Sequence, residues 1–389
     1  MVWPKYTNTE IALVKNILKV GKVNYWTGGY GKKLEKAFAK FANKKYALCV
    51  SNATMALEYS LVALNLNKND EIIVTPRSYY SSASCILKTK ATPVFCDVDL
   101  TSQNIDPNDL IKKISKRTKA VIVVHLGGNP SDLEKIKKIT KRNKLILIED
   151  CSQAHGARIN NKVVGSFGDI SIWSFCNDKI ISSGGEGGII SLDKKTLFKS
   201  LWSYRDIGKD YDKFHRGINS NYYFKWLHDS VGSNFRMTEI QSALAYNQLK
   251  NIKKTIERRK LIANEYINKI EKFKWLRIFK DNKKYSSSRY RLNISIIQNF
   301  VKEKFNAKKL IKEINKYDFI CNEGPCPLIF LEKYFIRKKY KAKKLENSYV
   351  LLNNNISFII DPTISINTYK KRAKHVLSVF NNYNQNVDL

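Results

Sequence analysis

Between residues 45 and 192, short apolar runs alternate with stretches of helical character, and this alternation limits the fold more than any other feature of the chain. The runs are YALCV (46–50), DEIIVTP (70–76), TPVFCDVD (92–99), AVIVVHL (120–126), KLILIED (144–150), DISIWSF (169–175) and GGIISL (187–192). Most are apolar at successive positions, as strands covered on both faces require. Between them lie segments such as SDLEKIKKITKRN (131–143) and a helix opened by SNAT, in which Leu57, Leu61 and Leu64 mark one buried face. Alternation of this kind predicts an α/β fold, a mostly parallel sheet flanked by helices. After about residue 245 the pattern changes. QLKNIKKTIERRKLIANEYINKI (248–270) reads as one long helix, NISFIID (355–361) as a strand and NTYKKRAKHVLSVFNNY (367–383) as a helix. The expected division is a large domain over 1–245 and a smaller C-terminal α+β domain over 246–389.

Composition removes several function classes. Hydrophobic residues make up 43% of the 389, enough for a sizeable core. The opening MVWPKYTNTEIALVKNIL lacks the unbroken apolar centre of a signal peptide, and no run is long enough to span a membrane. Seven cysteines without CxxC spacing fit a reducing cytoplasm and argue against a disulfide framework or a zinc site. The net charge of +35, from 69 Lys+Arg against 34 Asp+Glu, raises nucleic-acid binding as a function. The charge is spread along the chain, however, and no zinc-finger or RNA-recognition signature accompanies it. The densest run, IRKKYKAKK (336–344), lies far from the chemical motifs. The expectation is a basic surface without specific nucleic-acid recognition, whose field helps capture phosphorylated substrates.

In a parallel α/β sheet, ligands collect at the carboxyl ends of the strands. Asp150 closes KLILIED, Ser174 closes a later run, and Lys179 follows five residues on, just before GGEGG. SNAT leaves a strand and enters a helix, so its N–H groups and the helix dipole suit a phosphate. A lysine near glycines, an aspartate ending a strand and a capped helix are each commonplace alone. Together they match the needs of pyridoxal phosphate: a lysine for a covalent bond, an acid for the pyridinium nitrogen and a phosphate site at a helix start.

The same stretches resemble the DegT/DnrJ/StrS family of sugar aminotransferases, over nearly the whole chain. The resemblance rests on VNYWTGG (23–29), VSNATMAL (50–57), DEIIVTPRSYYSSA (70–83), IEDCSQAHGA (148–157), VGSFGDISIWSF (164–175), GGEGG (184–188) and GSNFRMTEIQSALAYNQL (232–249). It implies the fold-type-I pyridoxal-phosphate architecture, with a seven-stranded sheet. By the same resemblance Lys179 is the Schiff-base lysine, Asp150 the partner of the pyridinium nitrogen, and Gln153 the neighbour of the ring's phenolic oxygen. Ala53, Thr54 and Ser174 hold the phosphate. Tyr80, in preference to Tyr79, stacks on the ring, and Asn234 reaches the phosphate of a partner subunit in a homodimer with shared active sites.

Some positions depart from the family pattern. Ala53 stands where glycine is common. Cys176 is expected to be a small buried residue without a role, Arg77 to lie on the surface, and His155 to pack. Relatives that deoxygenate the sugar carry histidine in place of the lysine, so Lys179 favours transamination. The resemblance implies a cytoplasmic enzyme of surface-glycan biosynthesis, with no metal. It would aminate a nucleotide-linked keto sugar with L-glutamate as donor and 2-oxoglutarate as co-product, by way of pyridoxamine phosphate. A dehydratase of the same family and a non-catalytic regulator that keeps the fold are the rival readings.

Overall fold

Residues 3–216, 227–300, 307–324, 328–338, 340, 342 and 345–384 are described by a computed structural model. Lys339, Lys341, Lys343 and Lys344 of the basic run lie outside the described residues, as do positions 325–327 of EGPCPLIFLEKYF, a stretch that resembles surface-glycan members of the family.

Seven strands form the main sheet: β1 (Tyr46–Val50), β2 (Glu71–Val74), β3 (Thr92–Phe95), β4 (Thr118–Val124), β5 (Ile146–Asp150), β6 (Ile170–Ser174) and β7 (Gly188–Leu192). Their order is β1-β7-β6-β5-β4-β2-β3. Neighbours pair in parallel except β7, which runs against both β1 and β6. The continuous apolar runs are explained by burial on both faces. Along β4, Val121 and Val123 join a layer with Leu34, Phe38, Leu147 and Trp173, whereas Ala120, Ile122 and Val124 join another with Leu57, Ile72 and Ile148.

A second sheet is antiparallel, with strands β8 (Leu276–Ile278), β9 (Arg291–Ile296), β10 (Cys321–Asn322) and β11 (Asn355–Ile359) in the order β8-β9-β11-β10. Among the described residues, the buried members of its apolar cluster run from Ile262 to Phe380. The helix expected over 248–270 is two helices, Glu239–Lys250 and Ile252–Ile270. Thr238 starts the first with a capping box to Gln241. Asn251 separates them at φ −99°, ψ 4°, and its amide turns back to the Asn247 carbonyl at 3.4 Å. Asparagine competes with the helical backbone in this way, which the apolar pattern alone does not reveal. Ile252 packs against the main sheet, and Ile262 onward against the second cluster of strands.

The helix Ala53–Val62 begins where expected, with Asn52 as N-cap accepting from the Met55 N–H at 2.9 Å. Leu57 and Leu61 are buried on it, while Leu64 falls in the turn beyond its end and is half-buried. The ends of β1, β5 and β6 thus come to one rim of the sheet, and the chemical motifs follow them there.

Candidate active site

A cavity of about 600 Å³ opens at this rim. Lys179, Asp150, Gln153, Ser174, Ala53 and Thr54 all line it, so six residues expected from different stretches of sequence meet in one place. Asp178, Tyr290, Tyr79, Cys176 and Glu186 line it too.

The helix start forms one part of the wall. Asn52 uses its side chain on the Met55 N–H, and the N–H groups of Ala53 and Thr54 donate to no acceptor among the described residues. Unpaired N–H groups at a helix start, with the positive end of the dipole, suit an anion. Gly188 opens β7 against this turn, where a β-carbon would lie 2.6 Å from the carbonyl carbon of Asn52. The Ser174 hydroxyl, at the end of β6, accepts from the Cys176 N–H at 3.2 Å.

Asp150 ends β5 and is buried. Its Oδ1 accepts from the Ser152 N–H at 3.1 Å, and its Oδ2 from the Ser82 hydroxyl at 3.4 Å. Gln153 is oriented by the Gly127 N–H, which donates to its Oε1 at 2.7 Å and leaves the amide nitrogen free to act as donor.

Lys179 lies on the loop between β6 and β7, and that loop is fastened from behind. The Trp3 indole donates to the Lys179 carbonyl at 2.8 Å, and the hydroxyls of Tyr6 and Ser182 are 3.0 Å apart. Gly184 and Gly185 turn the loop at φ +86° and +128°, backbone angles that side chains rarely allow. The Lys179 amine is 3.2 Å from Asp178 Oδ1 and 3.2 Å from the Tyr290 hydroxyl, which itself donates to Asp178 Oδ2. Burial disfavours the Lys179 ammonium, but Tyr290 and Asp178 outweigh it and hold the amine above its usual value. Burial also pushes the Tyr290 phenol up, so at neutral pH it is uncharged and Asp178 is the charged partner.

Other expected residues fall elsewhere. The Tyr80 ring packs edge-on against Phe335 at 5.8 Å, and Tyr79 is the tyrosine that reaches the cavity. Asn234 is exposed, bridged to Asp206, and does not line the cavity of its own chain. Arg77 is buried rather than on the surface: its guanidinium donates to Gln103 Oε1 at 2.9 Å, beneath an antiparallel bridge to Leu328. Cys176 is half-buried in the cavity wall, not sealed in the core. Burial and the carboxylates of Glu186 and Asp178 push its thiol up, so it stays protonated. His155 does pack, buried against Trp173 and Phe175 with ring centroids 5.4 and 5.9 Å away.

One cluster outside the cavity groups residue types that can ligate a metal. His125, Glu149 and Cys151 are buried with ligand atoms within 4.8 Å of one another. Hydrogen bonds already engage two of the three, His125 and Glu149. The Ser131 N–H donates to His125 Nδ1 at 3.1 Å, so Nε2 carries the proton and faces Glu149 at 3.2 Å. Glu149 also accepts from the Gly165 and Phe167 N–H groups at 2.6 and 2.9 Å.

Sequence reasoning missed Tyr290 and Asp178. Asp178 adjoins the lysine in SFCNDK, so its place there was a usable signal. Tyr290 comes from the head of β9, more than a hundred residues away, and no local pattern announces it.

Known proteins resemble this one in sequence and in structure. GDP-perosamine synthase of Escherichia coli O157:H7 is 38% identical over 239 residues, 61% of this chain and 62% of that protein. The dTDP-3-amino-3,6-dideoxy-alpha-D-galactopyranose transaminase of Aneurinibacillus thermoaerophilus is 35% identical over 249 residues, 64% of each chain. The chain therefore matches somewhat less than two thirds of the length of these curated relatives. The X-ray structure of an aminotransferase from Psychrobacter cryohalolentis superposes over 98% of both chains, with a TM-score of 0.94 and 33% identity. The fold is that of the fold-type-I pyridoxal-phosphate enzymes. The model of the DegT/DnrJ/EryC1/StrS aminotransferase family matches residues 4–376, and the chain belongs to that family.

Proposed function

We propose that the protein is a pyridoxal-phosphate-dependent aminotransferase that converts the keto group of a nucleotide-linked sugar to an amine. L-Glutamate is the donor, and the amino sugar enters a surface polysaccharide or lipopolysaccharide. The observation that carries this reading is the single cavity lined by Lys179, Asp150, Gln153, Ser174 and the open helix start at Ala53 and Thr54. The names of the two curated relatives support the substrate class.

The residues fit the cofactor. Ala53, Thr54 and Ser174 would hold its phosphate, aided by the room that Gly188 leaves. Asp150, held by Ser152 and Ser82, would face the ring nitrogen, and Gln153 would donate to the phenolic oxygen. Tyr79, which lines the cavity where Tyr80 does not, would cover the ring. When bound, the cofactor supplies an electrophilic carbon and a ring that accepts electrons. Lys179 Nζ supplies the nucleophilic amine and, when free, the atom that carries a proton to and from the substrate carbon. Asp150 keeps the ring nitrogen positive, since a buried carboxylate stabilises a cation beside it. The basic surface would draw in a nucleotide diphosphate.

The same reading makes the protein a cytoplasmic homodimer with shared sites, Asn234 serving the partner's phosphate, and with a large domain over 1–245 and a small one over 246–389. Among the described residues no helix is long and apolar enough to cross a membrane. Specific nucleic-acid binding forms no part of it.

The test is a single turnover. Protein loaded with pyridoxamine phosphate is given 3-keto and 4-keto nucleotide hexoses. An amino sugar formed in proportion to enzyme is expected. A deoxygenated sugar with released ammonia would place the protein among the dehydratases instead.

A further inference from the structure

Lys179 does not point into open solvent. Its amine is gripped by a carboxylate and a phenol that are themselves joined. Asp178 presents Oδ1 to the amine at 3.2 Å and takes the Tyr290 proton on Oδ2. With its proton spent on Asp178, the Tyr290 oxygen has lone pairs for the amine, also at 3.2 Å. The amine further lies 4.8 Å from the centroid of the Tyr290 ring. Tyr290 is buried, which fixes the phenol in place, and it immediately precedes β9 of the second sheet rather than lying on the loop that carries the lysine.

We propose that Tyr290 and Asp178 form a docking site for the Lys179 ammonium, occupied whenever the amine is free of carbon and carries its extra proton. The proposal rests on the aminotransferase reading, because such a cycle frees the lysine in every turnover. The dock has two consequences. It steadies the ammonium that forms once the freed amine has taken a proton, ready to give that proton back. It also holds the amine at the cavity wall rather than letting it wander among the carboxylates that line the cavity, Asp150 and Glu186.

The groups around the dock fix the sign of the effect. Asp178 comes from the loop of Lys179 itself and Tyr290 from the head of β9. From the loop after β5 comes His155, whose imidazole burial keeps neutral. Arg291 lies with its guanidinium carbon 5.5 Å from the Tyr290 ring, and Arg259 acts on Tyr290 from the helix Ile252–Ile270. Burial disfavours the ammonium, so the grip of Asp178 and Tyr290 is what maintains it.

The basicity of Lys179 can be read without any cofactor. Cofactor-free protein is labelled with acetic anhydride across the alkaline range, and acetylation of the Lys179 peptide is followed by mass spectrometry. In the wild type the labelling midpoint should lie above that of an ordinary lysine. Asp178→Asn should lower it by roughly one pH unit or more, the effect of removing an opposite charge within about 4–6 Å. Tyr290→Phe should lower it by less, in the same direction. Midpoints unchanged in variants with wild-type circular dichroism overturn the dock, and if one variant fails to fold the other decides. Uptake of pyridoxal phosphate is followed separately by absorbance. Protein that labels as expected but never takes up the cofactor defeats the aminotransferase reading and leaves the dock standing.

Discussion

A β-carbon placed on Gly188 would lie 2.6 Å from the carbonyl carbon of Asn52 and 2.8 Å from the main-chain nitrogen of Ala53. The first residue of β7 therefore runs directly against the helix start that offers its N–H groups to the cavity. What it meets is backbone, which cannot move aside as the end of a side chain can. Gly188→Ala should displace that helix start. Overpacking of this kind typically costs about 1–3 kcal/mol, and loss of even ~1.4 kcal/mol at the phosphate turn means about tenfold weaker binding. Equilibrium titration with pyridoxal phosphate and urea unfolding measure the two effects. Wild-type affinity in Gly188→Ala would remove the helix start from the account.

Asp150 sits buried at the end of β5, held by Ser152 and Ser82. Removing one partner of a buried ion pair costs about 3–5 kcal/mol, so Asp150→Ala should lose both cofactor affinity and turnover. Dialysis followed by assay reads the first, and steady-state rates at saturating cofactor read the second. Near-normal turnover would mean that another acid faces the ring nitrogen.

His155 gives the protein a measurable acid weakness. Burial, with the charges of Lys179 and Arg259, takes its imidazole from 6.5 down to about 3. Between those two values the unfolded chain binds a proton that the folded protein refuses, so stability falls as pH falls through that window. The slope from one such group approaches about 1.4 kcal/mol per pH unit. His155→Phe, which keeps a ring between Trp173 and Phe175, should flatten the stability curve between about pH 6.5 and about pH 3. Urea unfolding at a series of pH values checks it, and an unchanged slope would show that other groups set the acid limit.

Asn234 is exposed on a segment whose neighbours are well anchored. The Phe235 carbonyl accepts from the Ser51 N–H at 2.8 Å, and Arg236 holds Asp206 at 2.6 Å. Such a residue is free to serve a second subunit. Lys179→Ala and Asn234→Ala, each inactive alone, should regain activity when mixed under subunit exchange, because one site of each mixed dimer then carries neither change. If no activity returns while Asn234→Ala alone is inactive, the sites are not shared through this residue.

The large sheet was legible because its strands are buried on both faces and read as unbroken apolar runs. Lys179, Asp150 and Ser174 were legible as cavity residues because strand ends and a glycine-rich turn mark them locally, whereas Gln153 was reached through the family resemblance alone. The long helix was not, since Asn251 breaks it while the apolar spacing continues across the break. Arg77 looks like a surface residue in sequence, and its bond to the Gln103 amide, 26 positions on, is a long-range contact that its sequence neighbourhood does not announce. Tyr79 and Tyr80 are adjacent and chemically alike, so the cavity distinguishes them and composition does not. Tyr290 depends on a contact between the head of β9 and the Lys179 loop, a relationship that no window of sequence contains.

The central claim is that Lys179 is the covalent residue. Protein loaded with pyridoxal phosphate can be reduced with borohydride, digested and mapped by mass spectrometry. The account predicts the pyridoxyl group on Lys179, and Lys179→Ala should bind the cofactor without fixing it and should not turn over. A pyridoxyl group on another lysine, or sustained turnover by Lys179→Ala, would contradict it.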